Sequence, residues 1–472
     1  MNQHETPFRF KIHDDDRSIV LREGDHVRVY PTGEDEGIGG LLSKRQIDLV
    51  RIATAVHVAD GLARRRRTAN GQRRPILDLE VLDAAFWSES GMMCRLKDCV
   101  DFLGGGDDWS FRFLQSTASR QVSMFDLDSY RDRPRHSESW PIVALYSGGL
   151  DSAAGLAARM AEMPGRRFIP VTLRHQTRRA KLVRDQFRIL MEGSVATAEN
   201  LKPLEVGAFI KNRRIKRDFD VRPREVTHRC RPMLYMAVAG VVADVLGAGE
   251  VEVYESGVGS VNLPLVGGPA DYRTTRSSHP HYLALMSDLV GRVNRDEVRF
   301  VLPFAGRTKA EMVGRLRELG LEELARRSVS CILHPLRRGR GRQCGHCAAC
   351  VYRRQAMQVA GISEAPDAYD VDLFAPPAPG DDPDPRHLVA IRAFQQQVGR
   401  LAELDDGRLP ACYRAYLHAT HAVATEAELG PHIEVHDRYR REWERLFAEA
   451  RRRGLPWAMP ARVRALAVGA TP

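Results

Sequence analysis

The sequence has no apolar run near the length of a membrane span, so a transmembrane helix is excluded as its organising feature. The first residues, Met1-Asn2-Gln3-His4-Glu5-Thr6, are polar and carry no signal-peptide core, and a cytoplasmic protein is expected. No internal repeat is evident. Cysteine is sparse, with eight in 472 residues, and four of the eight fall between Cys331 and Cys350; the others are Cys94, Cys99, Cys230 and Cys412. In a reducing compartment such clustering argues for a metal rather than a disulfide framework. The hydrophobic content, 43%, is ordinary, and the length allows two or three domains with a large core. Net charge is +10 and the pI about 9.3. That permits a polyanionic partner such as tRNA, DNA or a nucleotide phosphate. The basic residues are spread along the chain and interleaved with acids, which reads first as a solvated, arginine-rich surface.

One stretch organises the rest. Ile142-Val143-Ala144-Leu145-Tyr146 predicts a buried strand, Gly148-Gly149 a tight turn, and Asp151 to Met160 the helix that follows. A strand, a glycine turn and a helix N-terminus present free backbone N–H groups and a positive dipole end to a phosphate. Ser147 and Ser152 add hydroxyl donors, and Asp151 stands where a metal-bridging or capping carboxylate would stand. No Gly-Lys-Ser/Thr closes the loop, so it is not a Walker A motif, and the three-glycine dinucleotide spacing is missing. Ser147-Gly148-Gly149-Leu150-Asp151-Ser152 after a strand resembles the pyrophosphate loop of the ATP pyrophosphatase (PP-loop) superfamily. The resemblance implies cleavage of ATP between the α- and β-phosphates and adenylation of a substrate oxygen.

Three regions are expected. Residues 1–139 alternate in a strand-like way at Phe8–Ile12, Ser18–Leu21 and Val27–Tyr30, then show helical spacing from Leu41 to Leu62 and strands at Ile76–Leu82 and Ser110–Phe113. They read as an N-terminal α+β accessory region. Residues 140–362 alternate strand and helix, with further strands at Phe168–Leu173, Lys202–Val206, Val251–Tyr254 and Val298–Leu302 and an apolar helix at Met233–Leu246. The expected fold is α/β, a parallel sheet with helices on both faces and ligands at the carboxyl ends of its strands. The proline- and aspartate-rich stretch from Ala365 to Arg386 reads as a linker or long loop, and residues 387–472 as a C-terminal helical extension. The arginine runs at Arg64–Arg67 and Arg337–Arg342 are where a nucleic acid could dock.

Cys331, Cys344, Cys347 and Cys350 have the spacing C-x12-C-x2-C-x2-C. Four thiolates close a tetrahedral structural zinc site; an iron–sulfur cluster uses the same ligands and stays open at this point. Gly345 lets the backbone wrap, and His346 is not needed to complete the set. The loop together with Ser330-Cys331 and Cys344-Gly345-His346-Cys347-Ala348-Ala349-Cys350-Val351-Tyr352-Arg353 resembles 7-cyano-7-deazaguanine (preQ0) synthase over residues 140–360. Thr308-Lys309-Ala310-Glu311-Met312 also looks like a segment of that family.

The resemblance implies ATP, Mg²⁺ and Zn²⁺, and activation of a 7-carboxy-7-deazaguanine-type carboxylate followed by transfer to an amine. Leu145, Ser147, Gly148, Gly149, Leu150, Asp151, Ser152 and Leu173 are the expected ATP residues. Asp151, Lys309 and Arg231 are the expected catalytic groups, with Arg229 a further candidate cation, and Cys331, Cys344, Cys347 and Cys350 the metal ligands. The chain departs from the synthase between the fourth and fifth strands, where Glu255, Asn262, Arg276 and His279 are candidates for reading the base or the acceptor. That departure and both long arms look like synthase-like proteins of bacterial antiphage operons, of the Qat and type IV CBASS kinds. There the acceptor amine would belong to a partner protein. The alternatives are the synthase proper using ammonia, a tRNA-modifying enzyme with the same loop, and a nucleotide-binding scaffold. A homo-oligomer is compatible with all of them.

Overall fold

The computed structural model describes residues 9–14, 17–22, 25–31, 42–63, 73–116, 140–174, 177–210, 212–219, 229–265, 275–332, 342–376, 384–455 and 457–458. The arginines at 64–67 and at 337–340 lie outside them.

The N-terminal region contains β1 (Arg9–Asp14), β2 (Arg17–Arg22), β3 (Val27–Pro31), α1 (Lys44–Leu62), β4 (Ile76–Val81), α2 (Ala84–Ser88), α3 (Ser90–Gly104) and β5 (Ser110–Gln115). Four of the strands form a sheet of order β2-β1-β4-β5, with β4 and β5 parallel and the other pairs antiparallel. β4 alternates between half-buried and buried side chains, the period-2 signature of a sheet with one covered face. α1 begins at a capping box: Ser43 accepts from the Gln46 N–H, and the Gln46 side chain accepts from the Ser43 N–H. Every residue from Gln46 to Leu62 is buried, because α1 lies between β4 and a helix of the central region.

The central region contains β6 (Ile142–Leu145), α4 (Leu150–Glu162), β7 (Phe168–Arg174), α5 (Thr177–Glu192), β8 (Leu204–Ile210), α6 (Asn212–Phe219), α7 (Arg231–Leu246), β9 (Glu250–Val253), α8 (Gly257–Val261), α9 (Pro280–Val293), β10 (Arg299–Val301), α10 (Lys309–Glu318), α11 (Glu322–Arg327) and α12 (Ala348–Val359). The sheet order is β10-β9-β6-β7-β8-β3, parallel from β10 to β8. β6 is central, so its side chains are apolar without alternation. Val143 joins the core under α7, while Ile142 and Ala144 join the core under α4 and α10. Gly155 lets α4 come close: a Cβ there would stand 2.5 Å from the Tyr254 side chain.

The N-terminal region is built into this sheet. β3 pairs antiparallel with β8 as its edge strand. The side chain of Gln46 donates to Asp244 at 2.7 Å inside the core. Arg73, buried, pairs with Asp60 and Asp107 at 2.6 Å each, and Asp60 in turn accepts from the Cys230 N–H.

The C-terminal region contains α13 (Val389–Arg400), α14 (Ala411–Ala419) and α15 (Leu429–Arg452). Its core residues, among them Phe394, Tyr439 and Trp443, pack with Val258 and Val261 of α8 and Val351 of α12. Of the two readings of Ala365 to Arg386, a linker or a long loop, the described residues 365–376 fit the loop, and that loop is packed. Tyr369, Leu373 and Phe374 are buried, Tyr369 bridges to Gln343, and the indole of Trp457 donates to the Leu373 carbonyl. These apolar side chains, set among the prolines and aspartates, pin the segment to the cysteine cluster and to the C-terminal core.

Candidate functional site

The chain moves outward from β6 through β7 to β8, then returns to β9 on the other side of β6. The carboxyl ends of β6 and β9 are therefore the point where the strand order reverses, and adjacent connections leave it in opposite directions and open a crevice. Leu145 is paired with Val253, so both strands end at one level. The Ser147–Ser152 loop leaves one strand there and Glu255-Ser256 the other.

The loop is held in shape from behind. Gly148 has φ +75°, a conformation glycine adopts without strain. Its carbonyl accepts from the Gln186 amide at 3.1 Å and from the Val329 N–H at 3.2 Å. Gln186 is fully buried, and its carbonyl accepts from the Tyr146 hydroxyl at 2.8 Å. Ser147 Oγ lies 3.2 Å from both Ser152 Oγ and the Gly149 N–H. Gly149 caps α4 without a side-chain hydrogen bond, and Asp151 occupies its first turn. Leu145 and Leu173 lie at the ends of β6 and β7, Leu173 buried and Leu145 half-buried.

Lys309 reaches this crevice from the first position of α10. It is buried, hydrogen-bonds Asp151 Oδ2, and stands 3.7 Å from Glu255 Oε1. The ring of Tyr352 lies under its ammonium, 4.8 Å from nitrogen to centroid. Burial works against the charge on Lys309, but Asp151 and Glu255 outweigh it and raise the pKa. Burial, and then repulsion from Asp151, push Glu255 up to about 7. Asp151 Oδ1 is buried with no hydrogen-bond partner among the described residues. Two glycines make room for this meeting. Gly257 donates its N–H to the Arg307 carbonyl at 2.9 Å, and a Cβ on it would stand 1.9 Å from the Ala305 carbonyl oxygen. A Cβ on Gly259 would stand 2.2 Å from Glu255 Oε1.

The four cysteines also meet. Their sulfurs lie within 4.8 Å of one another, with Cys344 and Cys350 at 3.9 Å. A zinc–sulfur bond of about 2.3 Å in a tetrahedron puts sulfurs about 3.8 Å apart, so the donor set and spacing fit Zn²⁺. The N–H groups of Cys344 and Cys347 point at the sulfurs of Cys331 and Cys344, at 3.4 and 3.3 Å. Gly345, φ +82°, is required because a Cβ would stand 1.9 Å from the Val371 carbonyl oxygen. The cluster is tied to the loop: Gln343 accepts from the N–H groups of Ser330 and Cys331, and Val329 next to them holds Gly148.

The remaining candidates are dispersed. Arg231 opens α7, on the sheet face opposite α4 and α10, and no described contact joins it to Lys309. Arg229 donates to the Gly104 carbonyl of the N-terminal region. Asn262 caps α8 at φ 47° and donates to the Thr275 carbonyl. Arg276 lies over the Phe102 ring at 4.9 Å, and His279 is buried against Thr420 at 3.1 Å, with burial lowering its pKa to about 3. Arg276 faces a cavity of about 750 Å³ between α3, α9 and α14, bounded also by Phe102, His281 and Tyr416. Sequence reasoning passed over Gln186, Tyr352 and Glu442; the glycine pair at 257 and 259 was the visible sign that Glu255 is packed closely.

A phosphate loop at the reversal point of a parallel sheet, with a buried lysine and two carboxylates beside it and a four-cysteine cluster behind it, defines a PP-loop nucleotide-binding domain of the ATP pyrophosphatase kind. Residues 141–361, just under half of the chain, match the model of the family described as queuosine biosynthesis protein QueC, and this stretch is a QueC-like PP-loop domain. No curated protein matches the chain.

Proposed function

We propose that the chain activates a 7-carboxy-7-deazaguanine-type carboxylate with ATP and transfers the acyl group to an amine. A carboxylate oxygen attacks the α-phosphorus, the bond to the bridging oxygen breaks, and pyrophosphate leaves; the amine then attacks the acyl carbon and AMP leaves. The carrying observation is that the Lys309 ammonium, with Asp151 and Glu255, faces the Ser147–Ser152 loop. Backbone N–H groups and the hydroxyls of Ser147 and Ser152 bind the departing pyrophosphate, and Lys309 offsets the charge that builds on it.

The buried oxygen of Asp151 that no described hydrogen bond reaches and the adjoining Glu255 form an all-oxygen donor set that fits Mg²⁺, which would neutralise phosphate charge there. The cysteine cluster, enclosed and behind the loop, has a structural role. The acceptor amine is assigned to a partner protein, in the manner of the synthase-like proteins of antiphage operons. The sequence's departure from the synthase after β9 and its two arms support that assignment.

The test is pyrophosphate release with ATP, Mg²⁺ and 7-carboxy-7-deazaguanine, with mass spectrometry of small molecules and of co-purified proteins. A protein adduct supports transfer to a partner, a nitrile supports the synthase proper, and no substrate-dependent pyrophosphate rejects the reading.

A further inference from the structure

The match to the family ends at residue 361, yet the helix that opens with Lys309 is gripped from beyond that point. Glu442, on α15, is only 6% exposed. Its Oε1 accepts from the Thr308 hydroxyl at 2.5 Å and its Oε2 from the Gln355 amide at 3.0 Å. Thr308 is the N-cap of α10, so it fixes where the helix begins, and Lys309 is the next residue. Gln355 lies on α12, one turn beyond Tyr352, whose ring sits under the Lys309 ammonium. One carboxylate therefore spans both helices that set the position of that ammonium. One turn before Glu442, Arg438 donates to Glu311 at 2.8 Å and to the Gly306 carbonyl, which fastens the same turn from its other side. No described salt bridge reaches Glu442. A buried carboxylate without a paired cation is costly where an apolar side chain would pack, so packing alone does not account for an acid here.

We propose that Glu442 is a positioning residue for Lys309, and that through it the C-terminal arm sets the rate of adenylation. The inference rests on the reading of Lys309 given above. Misplacing a charge by a fraction of an ångström weakens transition-state stabilisation while leaving ground-state binding nearly unchanged.

The experiment is exchange of labelled pyrophosphate into ATP, dependent on 7-carboxy-7-deazaguanine, which needs no acceptor amine. It is run on the full chain below the melting temperature of each variant. Glu442→Ala is expected to lower kcat about tenfold with the KM for ATP nearly unchanged. Glu442→Gln is expected to restore most of the rate. Its carbonyl accepts from Thr308, and its amide donates to Gln355 Oε1, which is buried without a partner among the described residues, once the Gln355 side chain turns. Should Glu442→Ala not fold, Arg438→Ala, at a half-exposed site, is expected to lower kcat about threefold.

A folded Glu442→Ala with unchanged kcat, Glu442→Gln falling as far as Glu442→Ala, or Arg438→Ala without effect overturns the inference. Lys309→Met separates the two levels. If it retains full exchange, the reading of Lys309 fails; if it loses exchange while Glu442→Ala does not, only the present inference fails. A wild-type protein with no carboxylate-dependent exchange removes both.

Discussion

On the reading proposed above, Lys309 and Glu255 are the residues on which the chemistry turns, and each makes a distinct prediction. Lys309 is held by two carboxylates and an aromatic face, so its charge is retained inside the crevice. Lys309→Met is expected to lower pyrophosphate exchange by about 10²- to 10³-fold, the usual loss when a preorganised electrostatic group is removed. Glu255 titrates near 7, above the ordinary 4.5 of a glutamate. Ionising it costs the folded state free energy, a cost absent below the ordinary value that grows as pH rises to about 7 and is constant above. Stability is therefore expected to fall with rising pH across that window, and Glu255→Gln to flatten the fall, as read by denaturation midpoints with and without Mg²⁺. If ionised Glu255 serves the metal, exchange activity rises across the same pH range in the wild type. Lys309 and Asp151 were readable from the sequence, because each sits in a short segment of known pattern. Glu255 was read from the sequence as a candidate for reading the base or the acceptor, and its partnership with Lys309 is a contact between residues 54 positions apart.

At the scale of elements, close backbone approach decides the site. Gly257 brings the start of α8 against the turn before α10, where a side chain would meet the Ala305 carbonyl. Gly257→Ala is expected to force the two turns apart, destabilising the fold by about 1–3 kcal/mol and separating Glu255 from Lys309. Urea melts combined with exchange kinetics at low temperature test both effects. The strands and helices themselves were largely legible, since the apolar run at Ile142–Leu145 and the alternation at Ile76–Val81 have periods that local sterics impose. The segment after Ala365 is the loop its composition indicates, but its packing was not legible. Its prolines and aspartates spell a loop, while Tyr369, Leu373 and Phe374 bury themselves against surfaces that no local pattern announces.

For the whole molecule, the sheet joins regions that the sequence presents as separate, and the cysteine cluster is tied to the loop from behind. β3 closes the edge of the central sheet, and Arg73 with Asp60 and Asp107 fastens the N-terminal region to α7 through Cys230. The cluster ties Cys331 to the loop through Gln343 and Val329. Removal of bound metal by a chelator is expected to lower the melting temperature and loosen the loop, because three buried cysteines and the half-buried Cys347 lose the ion that holds their sulfurs together. Metal analysis of the purified protein, with melting curves before and after chelation, checks this; an unchanged melting temperature in protein that carried zinc would reject a structural role. Arg276 and His279 take their meaning at the same scale, since both lie where α3, α9 and α14 converge, away from any described contact with Lys309.

The sequence by itself determined the local parts: a strand, glycine turn and helix that form a phosphate loop, and four cysteines at metal spacing. These follow from backbone sterics, hydrogen-bonding capacity and ligand chemistry, which act over a few residues. Only the tertiary structure decided that Glu255 meets Lys309, that Gln186 braces Gly148, and that Glu442 reaches back from α15 to Thr308. Those pairings depend on the order of strands in the sheet and on which helix faces are left to cover one another. Such long-range choices are fixed by packing the whole core and leave no periodic trace in the chain.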